Sequence, residues 1–170
     1  VCCMDQDAIF LNKWVDYAVP MLDKYLFISN RWDPGTLFKE AKNPLPRLGM
    51  ARPMFWLMKR NMMEEHDLYP NCDYRDIWGN ITYFAQKNNY DFYICKNSYW
   101  NENKRIYYRI HKRHVSDWHI SKKEHVIDIY DAEQAWINNE PFLFHQTRGA
   151  YKPESALLEW LEKTNRYLNE

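Results

Sequence analysis

Two groups of residues in this chain have types and spacings suited to chemistry. Asp5-Gln-Asp7 sets two carboxylates one residue apart with an amide between them. Such a group can orient sugar hydroxyls or help hold a divalent cation; the plainer reading is a cluster of solvated acids capping a helix. The second group begins with the apolar run Phe142-Leu-Phe144, which delivers His145 to a loop containing Arg148, Gly149, Lys152 and Pro153. A histidine at a strand end, followed by a glycine-bent loop with a lysine, suits a metal and a phosphate held side by side. Gly149 lets the backbone approach closely and Lys152 supplies a point charge. A simple surface connection between the last strand and the last helix is the alternative.

A third group lies between them. Arg105, Tyr107, Arg109, His111 and Arg113 alternate with Ile106, Tyr108 and Ile110, so one strand face collects cations and an aromatic. With Lys104 and Lys112 beside it, this face suits a phosphate backbone with stacked bases, or an acidic protein surface. A charged edge strand that discourages aggregation has the same pattern. His111 and His114, three apart on a strand, point to opposite faces, which argues against a shared zinc ion. The chain has no glycine-flanked serine elbow, no Gly-x-x-x-x-Gly-Lys loop and no dinucleotide fingerprint.

The elements that must position these groups read as an intermixed set of helices and strands. Asp5 or Asp7 caps a short helix carrying Ala8, Ile9 and Leu11, and Lys13 to Leu22 alternates as an edge strand broken by Pro20. Tyr25 to Ser29 is a strand, followed by a turn over Asn30 to Gly35. Met54, Met58 and Met62 recur every fourth residue, which predicts a helix over Ala51 to His66, and Asp73 caps another reaching Asn88. Tyr90 to Trp100 and Arg105 to Arg113 form a hairpin, and Val126 to Tyr130 a strand. Asp131 to Trp136 is a short capped helix. Pro153 to Leu168 is a helix with Leu157, Leu161 and Leu168 on its buried stripe. The class is α/β or α+β, with one mixed sheet that contains an antiparallel hairpin and is flanked by helices.

Composition sets the outer limits. A chain of 170 residues, 46% hydrophobic with eight Trp and thirteen Tyr, can fill the core of a single domain spanning 1–170. Lysine plus arginine and aspartate plus glutamate both total 23, which excludes a wholly basic surface but not a local patch. No apolar run reaches membrane-span length. Cys2, Cys3, Cys72 and Cys95 do not make a disulfide framework and read as thiols in a cytoplasmic, reducing compartment.

The acidic triplet with Asn12, the segment Val19-Pro-Met-Leu-Asp-Lys-Tyr-Leu-Phe-Ile28, and His145 with Gly149, Lys152 and Pro153 together resemble the distal half of retaining family 8 glycosyltransferases. That resemblance implies a GT-A, Rossmann-like nucleotide-sugar fold and transfer of a sugar from a nucleotide-diphosphate donor to an acceptor. It implies His145 as a ligand of Mn²⁺, Gly149, Lys152 and Arg148 around the donor diphosphate, and Asp5, Gln6 and Asp7 as sugar contacts at the catalytic centre. The family's own Asp-x-Asp would precede Val1, so the resemblance implies that this chain is the carboxy-terminal portion of a larger enzyme. The expectation from another class is a small α+β interaction domain presenting the strand 105–113 to an anionic macromolecule. The two differ in space: the enzyme requires the acidic triplet and His145 within one metal-site radius, and the interaction domain requires the basic strand to be an open edge.

Overall fold

The computed structural model describes residues 1–34, 49–51, 54–69, 78–101, 106–111, 114–120, 132–146 and 153–170. Two sheets carry the architecture. The first contains β1 (Cys2–Met4), β3 (Phe27–Ser29), β6 (Phe55–Met58) and β7 (Tyr93–Ile94), in the order β1-β6-β3-β7, with β3 and β7 parallel. The second contains β2 (Ala8–Phe10), β8 (Lys96–Asn101), β9 (Ile106–His111), β10 (His114–Ile120), β11 (Ala132–Ile137) and β12 (Glu140–Gln146). Its order is β10-β9-β8-β11-β12-β2, and every pairing is antiparallel. A short ribbon pairs β4 (Trp32–Pro34) with β5 (Gly49–Ala51). The helices are α1 (Val15–Ala18), α2 (Arg60–Glu65), α3 (Gly79–Lys87) and α4 (Glu154–Asn169), with a 3-10 turn over Pro20–Asp23. The class is α+β, and its strands divide between sheets instead of forming one.

Strand parity builds the core. In β6, Phe55-Trp-Leu-Met58 is buried throughout, as a strand covered on both faces must be. Trp56 and Met58 turn to one side and join Phe27, Met63, Trp78, Ile81, Ala85 and Phe92, under α2 and α3. Phe55 and Leu57, with Ile28 of β3, turn to the other and join Ala135, Phe142 and Leu143 of the second sheet. The two sheets therefore pack face to face through the Phe55 side. Phe55 makes edge-on ring contacts with Trp14 at 5.3 Å and with Phe142 at 5.0 Å. On the far face of the second sheet, Phe144 meets Trp160 of α4, with Tyr167 partly buried beside them.

Several expected elements take the other form. Ala8 to Phe10 is a strand, not a capped helix, because it completes the edge of the second sheet beside β12. The segment expected as an edge strand from Lys13 folds as α1 and the 3-10 turn, and Ala18 and Leu22 are its buried side. The methionine periodicity is split: Met58 ends β6, whereas Met62 and Met63 lie in α2. Trp32 to Pro34 extends as β4 instead of turning. Of the helix expected over Asp131 to Trp136, the described residues 132–136 are a strand instead, because β11 is paired on both sides, with β12 and with β8. In α4 the buried residues are Trp160 and Thr164, while Leu161 and Leu168 are exposed. The expected strand over 126–130 and the cap at Asp73 lie outside the described residues.

Candidate metal centre

The Asp5-Gln6-Asp7 turn is the crossover between the sheets: β1 leaves the edge of the first, and β2 enters the edge of the second. Three backbone bonds fix it. The Asp5 amide donates to the Met54 carbonyl at 3.0 Å and the Ala8 amide closes the turn on Asp5 at 3.2 Å. The Gln146 amide donates to the Asp7 carbonyl at 3.0 Å, which ties the turn to the end of β12. One residue earlier, His145 pairs in register with Ala8 on one side and Glu133 on the other.

That register carries the imidazole to the acids. His145 Nε2 lies 3.2 Å from Asp7 Oδ1 and 3.5 Å from Asp5 Oδ2. One ligand atom from each of the three residues falls within 4.8 Å of the others. Neighbouring donors around a divalent ion at about 2.1 Å stand roughly 3 Å apart, so the three can share one coordination sphere. His145 is 5% exposed, whereas Asp5 and Asp7 are 45% and 30% exposed, so the ring forms a floor and the carboxylates a rim open to solvent. Two oxygens and one nitrogen suit manganese, magnesium or zinc.

Burial disfavours the charged ring, but hydrogen bonds to Asp5 and Asp7 and the charge of Glu133 outweigh it. The pKa of His145 is pushed up from 6.5 to about 9. The two carboxylates and Glu133 thus favour a proton on the ring, and a cation entering there would have to displace it.

Behind the ring lies a buried polar group that sequence reasoning missed. Glu133 is 1% exposed and its Oε2 is 3.9 Å from His145 Nδ1. Asn30 Nδ2 donates to Glu133 Oε1 at 3.1 Å, and Arg31 Nη1 reaches Oε2 at 3.4 Å. Asn30 is itself buried, and its Oδ1 accepts the Phe55 amide at 3.1 Å. Reading 131–136 as a helix hid this arrangement. The signal was Asn138-Asn139, both at positive φ (51° and 70°), a two-residue connection of the kind that closes a hairpin. That turn alone would set Glu133 opposite Phe144; the β-bulge between Ala135 and Trp136 shifts the register by one residue and sets it opposite His145.

Gln6 is exposed at the tip of the acidic turn. Arg148, Gly149 and Lys152, expected at the diphosphate, lie outside the described residues, as do Arg105 and Arg113 of the basic strand. Tyr107, Arg109 and His111 are positions of β9, which is paired with β8 on one side and β10 on the other. The strand is not an edge, contrary to what the interaction-domain reading requires. Among the described residues, no helix is long and apolar enough to cross a membrane.

Comparison with known proteins adds no relative: no family model, no curated protein and no solved structure matches this chain.

Proposed function

We propose that this chain is a glycosyltransferase-like domain in which Asp5, Asp7 and His145 hold a divalent cation, Mn²⁺ in the first instance, against the diphosphate of a nucleotide-sugar donor. One observation supports the reading most: residues far apart in sequence bring two carboxylates and an imidazole nitrogen within 4.8 Å at the rim between two sheets. The resemblance reads Asp5 and Asp7 as sugar contacts; their closeness to His145 Nε2 favours them as cation ligands, with Gln6 at the tip of the turn left to face the sugar. A bound cation would neutralise the charge that develops on the departing diphosphate. The protein's part is to fix three ligands in backbone-pinned elements and to leave the outer side open to donor and acceptor. Arg148, Gly149 and Lys152 follow His145 closely enough in sequence to hold the phosphates beside it. The free thiols Cys2, Cys3 and Cys95 fit a reducing, cytoplasmic setting.

The deciding experiment is thermal unfolding with Mn²⁺ and uridine diphosphate, separately and together, on the wild type and on His145→Ala. A ligand that binds only the folded state raises the melting temperature, by RT ln(1 + [L]/Kd) in free energy. The wild type is expected to gain with Mn²⁺ and to gain further with both; His145→Ala is expected to gain with neither. No gain in the wild type would overturn the reading.

A further inference from the structure

We infer that Glu133 is a positioning residue for the metal centre: across the strand pair it accepts a hydrogen bond from the Nδ1–H of His145 and so directs Nε2 at the cation. The inference rests on the cation reading above and adds the group that sets the ring's tautomer.

The argument begins with the two ring nitrogens. Nε2 faces Asp7 and Asp5 at 3.2 and 3.5 Å, so it is the nitrogen available as a ligand. A neutral imidazole that ligates through Nε2 carries its proton on Nδ1. In this protein Nδ1 is buried and, among the described residues, has no hydrogen-bond partner. The carboxylate facing it is Glu133, with Oε2 3.9 Å away. That separation is too long for a hydrogen bond and short enough for a small ring rotation to close. Metal-bound histidines commonly donate their second N–H to such an acid, which fixes the ring and raises its basicity.

Glu133 is built to stay where it is. It sits in β11 directly opposite His145 in β12, so both side chains leave the sheet on the same face. Asn30 holds Oε1 at 3.1 Å, and Asn30 is fixed in turn by the Phe55 amide. These bonds run from the first sheet to the second, so the packing of the sheets sets the position of the carboxylate. Arg31, on the other side of Oε2 at 3.4 Å, balances its charge. A buried acid with one oxygen anchored and the other facing an unpartnered ring nitrogen has a geometric reason to be there beyond stability.

Calorimetric titration with Mn²⁺ tests this on the full chain. Glu133→Gln is expected to bind Mn²⁺ about 10- to 100-fold more weakly than the wild type. Arg31→Gln, which leaves the carboxylate and its anchor in place, is expected to stay within about threefold. Nitrogen-15 imidazole spectra of the Zn²⁺-loaded wild type should show His145 protonated at Nδ1 and metal-shifted at Nε2, with the Nδ1 proton signal lost or averaged in Glu133→Gln. Should Glu133→Gln not fold, Glu133→Asp withdraws the carboxylate by one methylene and the same weakening is expected of it. Unchanged Mn²⁺ affinity in the variant that folds would overturn the positioning role and leave the cation site standing. An equal loss in Arg31→Gln would also overturn it, by making Glu133 part of a brace. A wild type that binds no Mn²⁺ would overturn the cation site and this inference together.

Discussion

The carbonyl of Asp7 accepts the amide proton of Gln146, and this 3.0 Å bond makes the acidic turn and the histidine strand one piece of backbone. Asp7 and His145 thus meet through chain geometry before their side chains contribute anything. An ion pair between free surface groups must hold two side chains still against their own freedom, which leaves it worth little. Here much of that ordering follows from folding, so the contact of Asp7 with His145 costs less ordering than a pair of free surface groups would.

The raised pKa of His145 gives the metal-free protein a distinct pH dependence. The fold favours the charged ring, so its stabilisation is complete below the ordinary pKa of 6.5 and disappears as pH rises through about 9. The loss should be on the order of 3–4 kcal/mol, given about 1.4 kcal/mol per unit of pKa between 6.5 and about 9. Urea unfolding of the chelator-treated protein should show the midpoint falling between pH 6.5 and 9, and His145→Gln should flatten that slope.

Asn30 is expected to be the most costly polar side chain to remove. It is fully buried and serves the Phe55 amide and the Glu133 carboxylate at once. Asn30→Ala would leave both without that partner and should destabilise the protein by about 2–4 kcal/mol. Equilibrium denaturation measures this. A change below about 0.5 kcal/mol would show that water replaces the side chain without cost.

The hairpin that presents His145 gives a backbone test. Asn138 and Asn139 both have positive φ, which glycine adopts freely and β-branched residues resist. Asn139→Gly should leave stability within about 0.5 kcal/mol, whereas Asn139→Val should cost about 1–2 kcal/mol. If the turn, with the bulge between Ala135 and Trp136, sets the register of Glu133 against His145, the valine variant should also weaken Mn²⁺ binding, and calorimetry can record both effects.

How much of this was legible in the sequence follows from what each segment's local pattern had to compete with. Phe142-Leu-Phe144 announced a strand because a continuous apolar run of that length has few other uses, and His145 followed from it. The hairpin of β8 and β9 was legible from parity and a polar turn between. The helix after Pro153 was legible too, but its buried face was not: a leucine count favours Leu161 and Leu168, whereas the ring that fits against Phe144 is Trp160. Ala132 to Trp136 was misread because alanine, glutamate and glutamine favour helix locally, and pairing with strands on both sides overrides that preference. The crossover between sheets at Asp5 to Asp7 depends on partners more than 100 residues away, such as Gln146, and no local pattern encodes it. The residue types of the candidate site were visible in sequence. Its geometry belongs to the sheets.

Asp7→Asn separates the two occupants of the site, proton and cation. The change keeps the size of the side chain and an oxygen that can accept, but removes the charge nearest to Nε2, at 3.2 Å. With less negative charge beside it, the imidazolium loses part of its support, so the pKa of His145 should fall from about 9 towards 6.5. The metal-free variant should therefore be less stable than the wild type at pH 6, where the wild-type ring is charged and supported. The two should converge near pH 9, where that support is already lost. Mn²⁺ competes with this proton, and a smaller proton affinity alone would make binding easier at neutral pH. The lost carboxylate acts in the opposite direction, because a neutral amide is a weak ligand for a hard cation. Ligand loss should win, with Mn²⁺ affinity lower by about 100-fold at pH 9 and by a smaller factor at pH 7. Titrations of both proteins at the two pH values would show it. A deficit independent of pH would mean that His145 does not take part in binding the ion.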